Sequence, residues 1–346
     1  MASIRDVAKR AGVSVATVSY VLNGTRNVSA EVREAVLKAV QEVHYVPNVV
    51  AKSLRERRTK TLGCIVPDIS NPFFAALIKA FEWAARQEGY RVIVGNAEEN
   101  EQVEEDLMYN LLARKVEGIA LVPTKNSPSY LDLFRGRVPI VIVDRLTIGD
   151  MFDTVGAQNE EGAYQATTFL LEQGHRRILF LASDLSLLNI QERLAGYQRA
   201  HTQKELPLEP ALVVECGRVT RAQTQEKVTR ALKALKPTAV IAATNRLTLV
   251  ALGAARHLGL TIPGDLSLVG FDDFEWSSLL DPPLTVVAQP VEAMGQEAFR
   301  VLLERITYGE VSPQPFNVRL PCTLVVRGST LPRASSEGRR EEVSQK

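Results

Sequence analysis

Apolar positions near the start of the chain recur with helical spacing in three short blocks. Ile4, Val7, Ala8 and Ala11 fall at i, i+3, i+4 and i+7 and mark one face of a first helix. Ser3 can cap it, with Asp6 as the returning carboxylate of a capping box, and Gly12 ends it because glycine accepts a left-handed backbone. Ser14 caps a second block that carries Val18, Val21 and Leu22 and stops at Asn23-Gly24. A third starts at Ser29 and carries Val32, Val36, Ala39, Val40 and Val43. Three short helices around one small core, the first two divided by a tight glycine turn, predict a helix-turn-helix whose second helix is free to enter a major groove.

Past residue 60 the pattern changes. Short apolar runs at 62–66, 90–95, 118–122 and 140–144, then at 177–181, 211–214, 239–243 and 266–271, read as strands buried on both faces. Amphipathic segments at 72–88, 102–115, 161–173, 190–204, 220–235 and 248–258 read as the helices between them. The fold class that follows is a small all-α headpiece joined to an α/β body of parallel sheets with helices on both faces. About 270 residues is too long for one such core, so the body is expected to form two lobes. In open α/β sheets a ligand sits beyond the carboxyl ends of the strands. That rule picks out the stretch from Asp68 to Phe74, the pair Asp144-Arg145, the stretch from Ala243 to Arg246, and Phe271-Asp272-Asp273.

Charge sharpens the division. The formal net charge of +1 hides a basic head: residues 1–60 hold 11 Lys/Arg against 5 Asp/Glu, while the remainder holds 30 against 35. A basic head on an acidic body points to polyanion binding by the head alone. Hydrophobic residues at 45% exclude a disordered chain. The absence of an apolar run of about 18 residues, and of an apolar stretch after the first residues, leads us to expect neither a membrane span nor a secretory signal. Cys64, Cys216 and Cys322, odd in number and far apart, are expected to be buried thiols in a reducing cytoplasm. The histidines (His44, His175, His201, His257) lie far from cysteines and from one another, and neither a Gly-rich phosphate loop nor a nucleophile elbow occurs, so no enzyme and no cofactor is expected.

The outward positions of the second helix are Val15, Ala16, Ser19 and Tyr20. Small apolar groups suit thymine methyls, and Tyr20 can reach a base edge or a phosphate. Ser14, Thr17 and the helix N-terminus can hold phosphate oxygens, which fixes register. Arg26, just past Gly24, is a further groove candidate. The basic stretch from Tyr45 to Lys60 begins with the helix-stopping Pro47, after which Asn48 can cap a short helix over 49–56. Alone, so short a helix is marginal because nucleation is costly; it is expected to form against a dimer mate and DNA.

The unbroken run from Ile4 to Ser14 (Ile-Arg-Asp-Val-Ala-Lys-Arg-Ala-Gly-Val-Ser), followed by Thr17-Val18-Ser19, Val21-Leu22-Asn23, Tyr45-Val46-Pro47-Asn48 and Ala51-Lys52-Ser53-Leu54, resembles the signature of the lactose/galactose/purine repressor (LacI–GalR) family. The resemblance implies that Val15 and Ala16 read bases in the major groove with Tyr20 and Arg26 beside them. It implies that Leu54 wedges into a central base step from the minor groove, flanked by Ala51 and Arg55. For the body it implies a likeness to periplasmic sugar-binding proteins, with a small-molecule effector, sugar-like in its chemistry, held between two lobes. On that reading Phe73 and Phe74 form an aromatic ligand wall, Asp144 and Arg145 a cleft pair, and Arg193 a polar contact. Asn245 and Asp272 bind hydroxyls, and Gln289 lies at a crossover between lobes.

Two departures bear on the ligand. Where members of the family often read Asn-Asp, this chain has Asn245-Arg246; where Asp-Asn is common, it has Gln158-Asn159. With Arg145, Arg193 and Arg218 this suggests a cleft of surplus positive charge and an anionic effector such as a sugar acid or sugar phosphate. The expected organisation is a headpiece at 1–47, a hinge helix and linker at 48–60, an effector-binding and dimerisation domain at 61–330, and a disordered tail at 331–346 without a tetramerising helix. Lobe one is expected at 61–157 plus 288–318, and lobe two at 158–287 plus 319–330. A cytoplasmic homodimer that represses carbohydrate-utilisation genes from a pseudo-palindromic operator on double-stranded DNA follows from the resemblance. The rival is a freestanding sugar-binding protein, against which the headpiece argues.

Overall fold

The computed structural model of the chain describes residues 2–24, 26–45, 58–126, 129–146, 151–217, 221–308 and 314–333. The expected hinge helix, with Ala51, Leu54 and Arg55, lies outside these residues, as do Arg218 and the tail past Arg333. Contacts between residues divide the chain into two units, Met1–Thr59 and Lys60–Lys346.

The first unit holds helices α1 (Ile4–Ala11), α2 (Val15–Asn23) and α3 (Ala30–Glu42). The capping box forms as its residues require: the Asp6 carboxylate accepts the Ser3 N–H at 2.8 Å, and the Ser3 hydroxyl oxygen accepts the Asp6 N–H. Gly12 turns the chain at φ 66°, a left-handed conformation that other residues adopt only with strain. Ser14 caps α2 by accepting the Thr17 N–H at 3.0 Å. Val7, Ala8, Val18, Val21, Val36 and Ala39 form the shared core.

The second unit carries strands β1 (Thr61–Val66), β2 (Arg91–Asn96), β3 (Gly118–Leu121), β4 (Ile140–Val143), β5 (Asp153–Ala157) and β6 (Ile178–Ala182). They are followed by β7 (Val213–Glu215), β8 (Ala239–Ala242), β9 (Ser267–Phe271), β10 (Thr285–Ala288), β11 (Asn317–Leu320) and β12 (Thr323–Val325). Between them lie α4 (Pro72–Gln87), α5 (Glu101–Ala113), α6 (Asn159–Glu172), α7 (Leu188–Gln203), α8 (Arg221–Leu235), α9 (Asn245–His257), α10 (Glu275–Leu279) and α11 (Val291–Tyr308). Two six-stranded sheets result, ordered β11-β5-β4-β3-β1-β2 and β12-β10-β9-β8-β6-β7. The chain passes from one sheet to the other after β5, after β10 and after β11. Strand order reverses beside β1 in the first sheet and beside β6 in the second, which places the crevice at the carboxyl ends of those strands.

The first sheet is parallel throughout, and the second is parallel except that β12 runs antiparallel to β10 at its edge, in keeping with the expected parallel-sheet body. β5 and β11 are not marked by apolar runs, whereas β10 (Thr-Val-Val-Ala) and β12 (Thr-Leu-Val) carry short ones that were not among the expected strands. Asp-Thr-Val-Gly-Ala and Asn-Val-Arg-Leu carry too few apolar residues to announce a strand, and their neighbours in the sheet supply the hydrogen bonds that hold them extended. No helix among the described residues is long and apolar enough to cross a membrane.

Helices α6 and α7 cross closely at Gly196, where an added Cβ would lie 2.1 Å from the Glu160 carbonyl oxygen and 2.8 Å from the Tyr164 nitrogen. Backbone cannot move aside as a side-chain tip can. Gly196→Ala is therefore expected to destabilise the second unit by about 2–3 kcal/mol, read as a lower urea midpoint at an unchanged slope.

Candidate functional site

Helix α2 presents its N-terminal end to solvent. Ser14, Val15 and Ala16 are exposed, Val15 at 41%, while Val18 and Val21 face the core. The Ser14 and Thr17 hydroxyls lie 2.9 Å apart at the N-terminal end of α2. Ser19 and Tyr20 are half-buried rather than fully outward. Ser19 is tied to Asn23, whose amide donates to its carbonyl at 2.8 Å and its hydroxyl at 3.1 Å, and Tyr20 lies under the Arg26 guanidinium, 4.9 Å from the ring centroid. The structure thus brings Tyr20 and Arg26 together beside Val15 and Ala16.

In the second unit Arg193, on α7, is only 2% exposed and sits between the sheets. Its Nε donates to Asn159 Oδ1 at 2.9 Å, one Nη donates to the Ala243 carbonyl at 2.6 Å, and the guanidinium lies 4.2 Å from the Phe271 ring centroid. Asp144 and Asp272 stand close enough for Arg193 to act on both carboxylates. Both aspartates leave their strands with left-handed backbone, φ 62° and φ 69°, which turns the side chains back over the strand ends. Asn245 hydrogen-bonds Asp272, and Gln289 donates to it at 2.7 Å. Asn189 donates to Asp144 at 3.3 Å. The sequence reading thus finds Asp144, Arg193, Asn245, Asp272 and Gln289 assembled in one cluster.

Polar contacts also bridge the sheets at the rim. Asn245 donates to Asn71 Oδ1 at 2.8 Å, beside an ion pair of Arg246 with Asp68. Asn126, after β3, accepts the Leu188 N–H at 3.0 Å, and Arg319 of β11 pairs with Glu192 of α7 at 2.9 Å.

Among the described residues the expected surplus of positive charge is not held. Arg145 is forked onto Glu99, with both N···O distances 2.7 Å, and Arg246 is held by Asp68. Arg193 faces two carboxylates, so the buried centre leans negative. Phe73 and Phe74 are buried in the hydrophobic core, edge to face at 5.4 Å, with Arg145 over Phe74 at 5.6 Å; they form no open aromatic wall in this arrangement. Asp273 belongs elsewhere, forked onto Arg327 at 2.9 and 2.6 Å. Asn189 and Glu99 were not singled out from the sequence, and Asn159 only as part of the Gln158-Asn159 departure. Asn189 lies in the first turn of the helix after the β6 exit loop and Glu99 in the β2 exit loop, so the strand-exit rule applied to every strand would have found both.

Among the described residues three buried oxygens at this cluster make no hydrogen bond: Asp144 Oδ1, Asn189 Oδ1 and Gln289 Oε1. All three are acceptors. An acceptor buried without a donor costs about 1–3 kcal/mol, a cost that a hydroxyl-bearing ligand removes. Burial pushes the Asp144 carboxyl up to about 6 against the pull of Arg193 and Arg145, and burial raises Asp272 as well.

Comparison with known proteins agrees with this division. Residues 3–48 match the family described as bacterial regulatory proteins, lacI family, and residues 167–330 match a periplasmic binding protein-like domain. An HTH-type transcriptional repressor PurR from Actinobacillus pleuropneumoniae is 33% identical over 331 residues, 95% of this chain and 98% of that protein. Catabolite control protein A from Priestia megaterium is 34% identical over 331 residues, 95% of this chain and 99% of that protein. Among solved structures, the lac repressor dimer bound to operator and the anti-inducer ONPF superposes with a TM-score of 0.82 at 28% identity, over 95% of this chain and 99% of that one. A complex of the transcriptional regulator CelR with cellobiose gives 0.72 at 32% identity, over 95% of this chain and all of that one, 100%.

A raised carboxyl pKa means that the fold favours the protonated form. For Asp144 that contribution is complete below the ordinary carboxylate value and is lost as pH rises through about 6. Asp144→Asn is accordingly expected to stabilise the unliganded protein by about 2–3 kcal/mol at pH near 8, with the gain shrinking to nothing in acid. Urea unfolding of both forms across that range reads it out; a gain that grows toward low pH contradicts the assignment.

Proposed function

The chain belongs to the lacI family of bacterial regulatory proteins, and from that premise we propose that its first unit reads an operator while its second senses a small molecule. It is a ligand-responsive transcriptional repressor of this family. The observation that carries the DNA half is α2, anchored by Val18 and Val21 and capped by Ser14 so that Val15 and Ala16 stand exposed at its leading end. Val15 and Ala16 then meet base edges, Tyr20 and Arg26 extend the contact, and Ser14, Thr17 and Ser19 face the backbone. Reading both halves of a pseudo-palindromic operator takes two headpieces, so the working species is a homodimer; the lac repressor structure similar to this chain is a dimer on its operator.

The effector site is the cluster around Arg193, with Asp144, Asp272, Asn245 and Gln289 as its polar groups and Arg145, Arg246, Phe73 and Phe74 as its supports. A sugar-like effector fits those groups, and control of carbohydrate-utilisation genes fits such an effector. The hinge residues Ala51, Leu54 and Arg55 connect the two functions: the ligand favours one lobe arrangement, and that arrangement governs whether Leu54 enters the minor groove. The protein acts in the cytoplasm, where its operator is, and catalyses nothing; its relatives regulate transcription.

Selection of duplexes from a random pool by the full-length protein is expected to yield a pseudo-palindrome. Exchanging Val15 and Ala16 for other side chains is expected to change the preferred bases at symmetric positions, with a penalty of about 1–3 kcal/mol per altered base pair. Deletion of residues 1–60 should abolish binding. Substitutions that weaken all duplexes equally would remove base reading from α2.

A further inference from the structure

Resting on the reading of the second unit as the sensor, we propose that Asn126 is a latch between its two sheets. The side-chain amide, seated in both, holds the arrangement described here and sets operator affinity before any ligand binds. Asn126 follows β3 of the first sheet, yet its hydrogen bonds go to the chain that leads from β6 into α7 of the second. Its Oδ1 accepts the Leu188 N–H at 3.0 Å, and its Nδ2 donates to the Ser186 carbonyl. Leu187, between those two, is extended at φ −84° and ψ 130°, so the carbonyl before it and the N–H after it face the same way. One planar amide matches that pair as a neighbouring strand would. The reversed amide would set donor against donor and acceptor against acceptor, so its orientation is fixed.

Helix α7 lacks a cap of its own. Leu187 stands at the position before the helix, where Ser, Thr, Asp or Asn ordinarily accepts a first-turn N–H, and leucine makes no such bond. The acceptor that Leu187 cannot supply comes instead from Asn126, on the other side of the crevice. Parting the sheets at this point therefore uncaps the helix that carries Arg193.

Both seats of the latch are held within their own lobes. On the first side the buried Glu104 carboxyl of α5 accepts the Thr124 N–H at 2.7 Å and the Tyr130 hydroxyl, and Glu101 of the same helix pairs with Lys125. On the second side Glu215 accepts the Leu185 N–H at 2.8 Å, and Asp184 accepts the Ser186 N–H at 2.9 Å. A short amide between two fixed seats gives up little freedom when it bonds. The Arg246–Asp68 bridge at the rim differs: a long side chain, 59% exposed, loses freedom and is screened by solvent.

The test uses the full-length protein and the duplex that the parent selects from a random pool. Asn126→Leu and Asn126→Ala, at urea concentrations where both are fully folded, are expected to change operator affinity at least about threefold, in the same direction and without added ligand. Amide hydrogen exchange over residues 184–190 is expected to rise at least about threefold in both. Arg246→Gln, which removes the exposed bridge, is expected to move operator affinity less than about twofold. Unchanged exchange at 184–190 overturns the latch. So does faster exchange with operator affinity held at the parent value, or an Arg246→Gln shift as large as that of Asn126→Leu. A parent that selects no duplex removes the regulatory reading and operator control with it, while exchange still decides whether the amide bridges the two sheets.

Discussion

A guanidinium buried between two sheets has to be compensated by the protein itself, and Arg193 sets the terms for everything around it. Its charge requires the carboxylates of Asp144 and Asp272; its N–H groups require Asn159 and the Ala243 carbonyl. Those partners come from elements of both sheets, so satisfying one side chain brings together the ends of β4, β8 and β9 with the starts of α6 and α7. The cluster is thereby both a structural joint and a polar floor. Removing Arg193 would leave both buried carboxylates without their counter-charge, which is far costlier than the net worth of the pairing.

The joint explains why the proposed effector site lies here. Strand ends expose carbonyls and turn residues, and left-handed backbone at Asp144 and Asp272 directs carboxylates across the crevice. Rim contacts such as Asn71 with Asn245 and Asp68 with Arg246 close the sheets directly on one another. Exposed ion pairs of this kind are worth little each, and Arg246 keeps 59% of its side chain in solvent. The rim can therefore rearrange at small cost, while the buried centre holds its geometry. A ligand that supplies donors to the unpaired oxygens adds to the centre without competing for what holds it.

The headpiece was legible almost residue by residue, because capping boxes, glycine turns and i, i+3, i+4 spacing are local codes: Ser3, Gly12, Ser14 and Ser29 stand where the helices start and stop. The apolar strands of the body were legible for the same reason. β5 and β11 were not, since residues such as Asp153 and Asn317 are held extended by their sheet neighbours, for β11 and β5 more than a hundred positions apart; β10 and β12 carry short apolar stretches that the reading did not pick out. The cleft residues were found by position at strand exits, but their pairing was not. Arg145 looks available in the sequence and is spent on Glu99; Arg246 looks like a ligand group and is spent on Asp68. Charge counted along a chain says nothing of which charges face each other, and for that reason the surplus of positive charge read from the sequence is not met among the described residues of the cleft.

The account's central claim is that a single free energy couples the cleft to the operator. Linkage makes that coupling reciprocal: whatever factor a cleft ligand applies to operator affinity, the operator must apply to the ligand. The direct measurement is a pair of titrations on full-length protein, operator against free and ligand-saturated protein, then ligand against free and operator-bound protein. The account predicts the same factor from both, about 5- to 150-fold in either direction. A ligand that fills the cleft yet leaves operator affinity unchanged would contradict it.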